Sequence, residues 1–247
     1  MDKIKIFSKS QFSLLWWSGT ISSFGDWATL FGSVALASYL GTEAGNSELT
    51  AIVPLIARIV PALLSSFAGL IADRYDKKII MIFCDVIRMI FVMFLFFADN
   101  LYSIFLINFL SEIFSLIRQP SREAVVPEIV NKENLVKANS LFAIGTYATL
   151  PVASLALGVV SDWNSLELIN ETGNGWSGSI IFLFDTFTFM ASAILLYFLK
   201  NQNKNTLNKK PDVSFKNFKD GLDYFFKTKD IRNISFSISF CLIGAGT

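Results

Sequence analysis

Long apolar runs separated by short polar links dominate this chain of 247 residues. A helix that crosses a bilayer needs about 20 mostly apolar residues, and six runs reach or approach that length. A seventh run begins near residue 231 and is still apolar at Thr247 after only about 17 residues, so we expect the chain to continue beyond Thr247. The six complete runs predict an all-α membrane protein with spans near 12–40, 49–72, 78–98, 101–118, 134–161 and 179–199.

Among the links between spans, only alternate ones carry lysine or arginine, and this pattern predicts how the spans are oriented. These residues precede span one, separate spans two and three, surround the link between spans four and five, and follow span six. The links at 41–48, 99–100 and 162–178 carry acidic charges only. Because positive residues stay on the cytoplasmic side, the N-terminus and the segment after span six are both predicted to be cytoplasmic.

The link after span six is long and basic. Within it, SFKNFKDGLDYFFKTKD places aromatic and aliphatic residues at helical spacing between lysines and aspartates. This pattern favours an amphipathic helix on the inner leaflet, and the alternative is a plain polar linker. The predicted organisation is a transmembrane bundle at 1–199, a cytoplasmic linker at 200–230 and the start of a seventh span at 231–247.

Composition excludes several classes of function. Charged residues make up 17% of the chain, whereas a soluble domain has about 25%. The net charge of +1 gives no reason to expect a nucleic-acid partner. The chain has no histidine, and its two cysteines, Cys84 and Cys241, lie far apart in apolar runs, so we expect no metal and no cofactor. Without a glycine-rich phosphate loop or a histidine base, the chain is predicted not to be an enzyme.

Ionisable residues nevertheless occur inside the predicted spans. Each costs about 2.5–3.5 kcal/mol at the bilayer centre, so each needs a partner or a purpose. Two of them, Asp85 and Arg88, are three residues apart on one face of span three and are expected to pair with each other; the alternative is substrate or proton handling. The complete set is Asp26, Arg58, Asp85, Arg88, Glu112 and Asp185.

Asp26 and Glu112 have no cation at helical spacing on their own spans, and both lie near mid-depth. They could carry protons, bind a cationic substrate, or neutralise Arg58 across the bundle. Burial favours the neutral form of a carboxyl group, which suits a proton carrier. Asp185 lies nearer the outer end of span six, and we expect a structural, orienting role for it.

The turn between spans two and three, GLIADRYDKK, carries a specific pattern. A glycine is followed by Asp-Arg and then by a basic pair, which resembles the signature of the major facilitator superfamily of secondary transporters. The matching residues are Gly69, Asp73, Arg74, Lys77 and Lys78, with Asp76 where the family usually has a second glycine. Four further stretches resemble drug and siderophore exporters of the macrolide-efflux and enterobactin-export type: FSLLWWSGTISSFGDWA, QPSREAVVPEIVNKENLVKANSL, FDTFTFMASAILL and FKDGLDYFF.

The resemblance implies the amino-terminal six-helix bundle of a twelve-span transporter, whose carboxy-terminal half would be its partner. In such transporters the turn latches the two halves and acts as a gate, and we group Asp85 and Arg88 with it. Pro151 in span five would be an antiporter hinge, and the alternative is a plain proline kink.

The expected function is therefore proton-coupled export of amphipathic drugs or similar small molecules by alternating access, in the bacterial inner membrane. The predicted partners are a small-molecule substrate, protons and the lipid bilayer. Two alternatives use the same scaffold, a siderophore carrier and a lysophospholipid carrier. A third, of another class, is a non-transporting membrane scaffold made from half a transporter.

Overall fold

A computed structural model of the chain describes residues 10–43, 50–62, 75–161 and 176–200, together with residues 227, 228 and 233. These ranges contain six α-helices and two short 3-10 turns, and they contain no strand, which confirms the predicted all-α class. The helices are α1 (Ser10–Glu43), α2 (Val53–Ala62), α3 (Lys77–Leu95), α4 (Leu101–Ile129), α5 (Leu135–Ser161) and α6 (Ile180–Tyr197).

The chain divides into two compact units, Met1–Lys209 and Lys210–Thr247. All six helices belong to the first unit. Several sequence predictions lie outside the described residues: the gate residues Gly69, Asp73 and Arg74, the amphipathic helix after span six, and the seventh apolar run. The domain boundaries at 199 and 230 remain predictions.

Polar side chains fix where two of the helices begin. The carboxylate of Asp76 accepts hydrogen bonds from the backbone N–H groups of Lys78 at 2.9 Å and Ile79 at 3.2 Å, which caps α3. Asn100 caps α4 by accepting from the N–H of Ser103 at 2.8 Å. Since such caps satisfy donors that the helix itself leaves unpaired, the residue that replaces the family's glycine has a local structural role here.

Helix α4 is longer than the apolar run that predicted it. Span four was predicted to end near residue 118, but the helix continues to Ile129 through Pro120 and Pro127. The added part is polar in sequence, yet Arg118, Ser121, Arg122, Val125 and Val126 are buried along it. Contacts with neighbouring helices therefore carry α4 past the point where the hydrophobic signal stops.

Helix α1 lies at the centre of the bundle and uses glycines to let α6 approach. A Cβ atom at Gly25 would collide with the side chains of Asp185 and Thr188, and one at Gly32 would meet Ile181 at 2.7 Å. Small residues at such crossings allow backbones to come close in a membrane bundle. The other neighbours follow in order, since α1 packs against α5 and α6, α6 against α3, α3 against α4, and α4 against α2.

The buried side chains form two apolar clusters, one at each end of the bundle. The first joins the C-terminal parts of α1 and α3 to the start of α6, and includes Leu36, Leu95 and Phe182. The second joins the opposite ends of these helices, and includes Phe12, Met81 and Leu196. Between the two clusters lies a layer of charged and hydroxyl side chains, which we call the polar layer.

The outer surface of the bundle is strongly apolar. Large hydrophobic side chains such as Phe94, Leu155 and Phe187 are exposed on α3, α5 and α6. Among the described residues, three helical segments have the length and hydropathy to cross a membrane: Leu101–Ile129, Lys132–Val160 and Ile180–Tyr197. Helices α1 and α3 are not among these three. Helix α3 carries four charged residues within 19 residues, namely Lys77, Lys78, Asp85 and Arg88, and α1 is rich in serine, threonine and glycine.

Candidate functional site

Asp26 and Arg88 form an ion pair that links α1 to α3 in the polar layer. The Arg88 guanidinium also lies over the Phe189 ring of α6, with its central carbon 4.3 Å from the ring centroid. The Arg88 side chain is 4% exposed, whereas that of Asp26 is 30% exposed. The Arg88 side chain is thus buried and held in place, whereas the Asp26 side chain is accessible.

The expected pairing of Asp85 with Arg88 is wrong. Asp85 pairs instead with Arg118 of α4, at 2.6 Å between Oδ1 and Nε. Residues three apart on a helix can pair, but each of these two meets an opposite charge on another helix, and a pair across helices also connects the helices. The sequence reading missed Arg118 because its position at the edge of the apolar run placed it in a cytoplasmic link.

Two serines complete a sealed network around Asp85 and Arg118. The Ser192 hydroxyl of α6 donates to Asp85 Oδ2 at 2.6 Å. Arg118 donates to Ser192 Oγ at 3.1 Å and to Ser18 Oγ of α1 at 3.2 Å. Asp85, Ser18 and Ser192 are fully buried. Because four helices contribute one residue each, this network ties α1, α3, α4 and α6 together.

Arg58 of α2 is near Glu112 of α4, as one of the predicted alternatives required. Arg58 Nε and Glu112 Oε2 are 4.0 Å apart, and the two side chains are 22% and 20% exposed. Arg58 also donates to the backbone carbonyl of Asp26 at 3.3 Å. Asp26, Glu112, Arg58 and Arg88 therefore form one group of two acids and two arginines, which we call the open charge group.

Asp185 lies in the polar layer without an arginine in ion-pair contact among the described residues. Its carboxylate accepts from the hydroxyls of Thr29 on α1 and Thr188 on its own helix, the latter at 2.7 Å. The side chain is fully buried and lies against Gly25. These contacts agree with the expected orienting role, which itself stays a prediction.

Two described members of the predicted gate, Lys77 and Lys78, bind the ends of other helices. Lys77 forms an ion pair with Glu128 near the end of α4. Lys78 donates to the carbonyl of Tyr197 at 2.7 Å and lies over its ring at 5.6 Å. The start of α3 is thereby attached to the ends of α4 and α6.

Pro151 lies inside α5 on an exposed surface. Its carbonyl accepts from the Ser154 hydroxyl at 2.9 Å, and its ring supplies no backbone N–H to the helix. Both the hinge and the plain kink remain predictions. No cluster of histidine, cysteine or acidic residues that could hold a metal ion occurs in the described ranges.

Comparison with known proteins identifies the family to which the chain is related. Residues 15–247 match the Major Facilitator Superfamily. The chain is 27% identical over 161 residues to the lysophospholipid transporter LplT of Escherichia coli (strain SE11), a match that covers 65% of this chain and 39% of that protein. LplT of Pectobacterium carotovorum subsp. carotovorum (strain PC1) is 30% identical over 143 residues, covering 58% of this chain and 34% of the relative.

These matches confirm the superfamily that the turn between spans two and three indicated, but not the branch. The relatives are named as lysophospholipid transporters, one of the alternatives, and not as macrolide or enterobactin exporters. The chain spans about two fifths of the length of the curated relatives that it matches. It is a multi-pass membrane protein, and it belongs to the major facilitator superfamily, a family of transporters and not of enzymes.

Proposed function

We propose that this protein is part of a secondary active transporter that moves single-chain phospholipids or similar amphiphiles across the bacterial inner membrane. The observation that carries the proposal is the open charge group between two apolar clusters. Asp26, Glu112 and Arg58 stay 20–30% exposed, although the clusters on either side are closed. The similarity to LplT proteins supports a lipid-like cargo.

Alternating access in this proposal works through exchange of ionic partners. Asp26 and Glu112 are each neutralised by an arginine in the state described here. A charged cargo group or a proton that takes one of these partners leaves the other one without its counter-charge in the polar layer. The helices then shift until the remaining charge finds a new partner, which couples cargo or proton to conformation.

The N-terminus and the segment after α6 are cytoplasmic in this proposal, as the distribution of lysine and arginine suggests. The turn that contains Asp73 and Arg74 then acts as a cytoplasmic gate. A carboxy-terminal bundle supplies the other wall of the transport pathway. Glu128 supports the gate from α4, since it pairs with Lys77 of the same turn.

A second candidate function is proton-coupled export of amphipathic drugs. Asp26 favours it, because a carboxyl group with a 30% exposed side chain can exchange protons with water during transport. The two candidates share one scaffold and differ in cargo. A non-transporting scaffold would need none of this accessibility.

The test is transport by the full-length gene product in proteoliposomes. We expect fluorescent lysophosphatidylethanolamine to cross the bilayer at least ten times faster than in protein-free vesicles, and an amphipathic dye such as ethidium to cross at the protein-free rate. The opposite result, dye movement driven by a proton gradient without lipid movement, would establish the drug exporter. If neither cargo moves, the non-transporting membrane scaffold is the remaining alternative.

A further inference from the structure

A cleft between α4 and α5 lies at the end of the bundle where α1 and α3 begin. Its volume is about 410 Å³. Polar side chains that include Gln119, Arg122, Glu123 and Asn139 line it, next to apolar ones such as Val126 and Leu135. The cleft exists because α4 and α5 make little direct contact, although both pack against other helices.

Arg122 is built into this cleft from two sides. Its guanidinium carbon is 5.1 Å from the centroid of the Phe142 ring, and its side chain lies against Gly19 of α1. Arg122 is only 8% exposed. A cation–π contact holds the plane of the guanidinium but leaves its five N–H donors in that plane free.

Arg122 differs in its partners from the other arginines described inside the bundle. Arg58, Arg88 and Arg118 each have a carboxylate within ion-pair distance. Within the described ranges, Arg122 has neither such a carboxylate nor a hydrogen-bond acceptor. None of the fully buried side-chain nitrogens that lack a partner in the described ranges belongs to Arg122, so its N–H groups open into the cleft, where an anion can accept charge-assisted hydrogen bonds from them.

The next residue presents the opposite charge to the same cleft. Glu123 is exposed, and its Oε1 accepts a hydrogen bond from Gln119 at 3.1 Å, one turn earlier on α4. Glu123 would repel an isolated anion such as inorganic phosphate. A headgroup that carries both a phosphate and an ammonium group can satisfy Arg122 and Glu123 together, while its acyl chain extends over the apolar lining into the bilayer.

We propose that this cleft binds the headgroup of a zwitterionic single-chain phospholipid, with the phosphate on Arg122 and the ammonium group near Glu123. The inference rests on the proposed function, since it assigns a headgroup class to the same cargo. The site lies outside the open charge group, at the end of the bundle, and selects cargo before it reaches the polar layer.

Direct binding to the full-length gene product in maltoside detergent tests the site. The probes are lysophosphatidylethanolamine, lysophosphatidylglycerol and monoacylglycerol with the same acyl chain. Wild type should bind them in that order of decreasing affinity. Arg122→Gln should lose about tenfold or more in affinity for both phospholipids, because charge-assisted hydrogen bonds to phosphate disappear, and should bind monoacylglycerol unchanged.

Glu123→Gln gives an independent readout on a side chain that is exposed and outside the buried network. It should abolish the preference for lysophosphatidylethanolamine over lysophosphatidylglycerol without weakening the latter. Lys132→Gln and Glu133→Gln, which remove exposed charges at the same end of the bundle, serve as matched controls and should behave like wild type.

Two results would overturn the inference: no phospholipid binding by wild type, or wild-type headgroup selectivity in both cleft variants. If Arg122→Gln loses as much affinity for monoacylglycerol as for the phospholipids, its fold is damaged. The headgroup preference of Glu123→Gln then decides whether the cleft binds the headgroup. If the wild-type protein binds the lipid in this manner but does not move it across the vesicle bilayer, the transport proposal alone is wrong. If the wild-type protein moves the lipid and both cleft variants bind it normally, the proposed binding site in the cleft alone is wrong.

Discussion

Exposure separates the ion pairs of the polar layer into two kinds. Asp85 and Arg118 are sealed, at 0% and 7% side-chain exposure, and two serines share their hydrogen bonds. Asp26 and Glu112 are accessible, at 30% and 20%. A sealed pair holds helices together, because removing one partner leaves the other charge buried, whereas an accessible pair can change partners at little cost.

Asp85→Asn should therefore destabilise the protein strongly. The substitution leaves Arg118 buried without its counter-charge, and breaking such a pair costs about 3–5 kcal/mol. The accessible carboxyl variant Glu112→Gln is the matched comparison, and its loss should be about 1 kcal/mol or less. Thermal unfolding of the purified full-length protein in detergent measures both. Equal losses in the two variants would contradict the distinction between sealed and accessible pairs.

Asp26→Asn and Glu112→Gln should impair coupling more than cargo recognition. Each variant mimics a permanently protonated carboxyl, so cargo exchange should persist while uphill, proton-driven transport falls to background. Counterflow and gradient-driven uptake in proteoliposomes separate these two activities. Glu133→Gln, an exposed carboxyl outside the bundle interior, is the control. If both variants concentrate cargo as wild type does, the two carboxyls are structural.

Six charges inside the bundle could be read from the sequence, because these ionisable residues interrupt otherwise apolar runs, but the buried Arg118 and Arg122 were missed. The pairing of the charges could not be read from the sequence. Pairing depends on how each helix is rotated about its axis, because that rotation decides which residues of neighbouring helices Asp85 and Arg88 meet. The hydroxyl residues that donate to the Asp85 and Asp185 carboxylates, Thr29, Thr188 and Ser192, gave no signal, since several other serines and threonines occur in spans one and six.

At the scale of a helix, the close contact between α1 and α6 depends on the missing side chains of Gly25 and Gly32. Gly25→Ala should destabilise by about 1–3 kcal/mol, because its methyl group would displace the carboxylate of Asp185, which two threonines hold in place. Gly158→Ala on α5 is the matched control, since no atom lies within 4 Å of the added Cβ. That variant should be neutral or slightly stabilising.

Thermal unfolding in detergent again provides the measurement. Identical melting temperatures for Gly25→Ala and wild type would mean that α1 and α6 can separate slightly without loss of stability. The expectation then fails even if Gly158→Ala behaves as described.

The sequence predicted that the six helices exist, but not where each of them ends. The apolar runs located all six, because twenty apolar residues have few alternatives to a membrane helix. The end of α4 was missed, since its last turns are stabilised by buried arginines and valines from a polar sequence. The hydrophobic signal measures lipid contact, and those turns are in contact with protein.

At the scale of the molecule, the orientation of the bundle follows from its charged links. Reporter fusions at Asp99, between α3 and α4, should report the outer side, and fusions at Asp76, at the start of α3, the inner side. A fusion at Lys200, after α6, is expected on the inner side too. The same side for Asp99 and Asp76 would refute the proposed topology, because α3 would then not cross.

The polar layer has an electrical consequence. Its three ion pairs, Asp26 with Arg88, Glu112 with Arg58 and Asp85 with Arg118, cancel one another's charge within the bundle. One elementary charge moved through 100 mV involves about 2.3 kcal/mol, but a helix rotation that carries matched pairs moves no net charge through the field. The rearrangement of these three pairs should therefore be silent to membrane voltage. Any current recorded during a cycle then belongs to Asp185, to the cargo or to a proton, and a zwitterionic cargo alone would produce none.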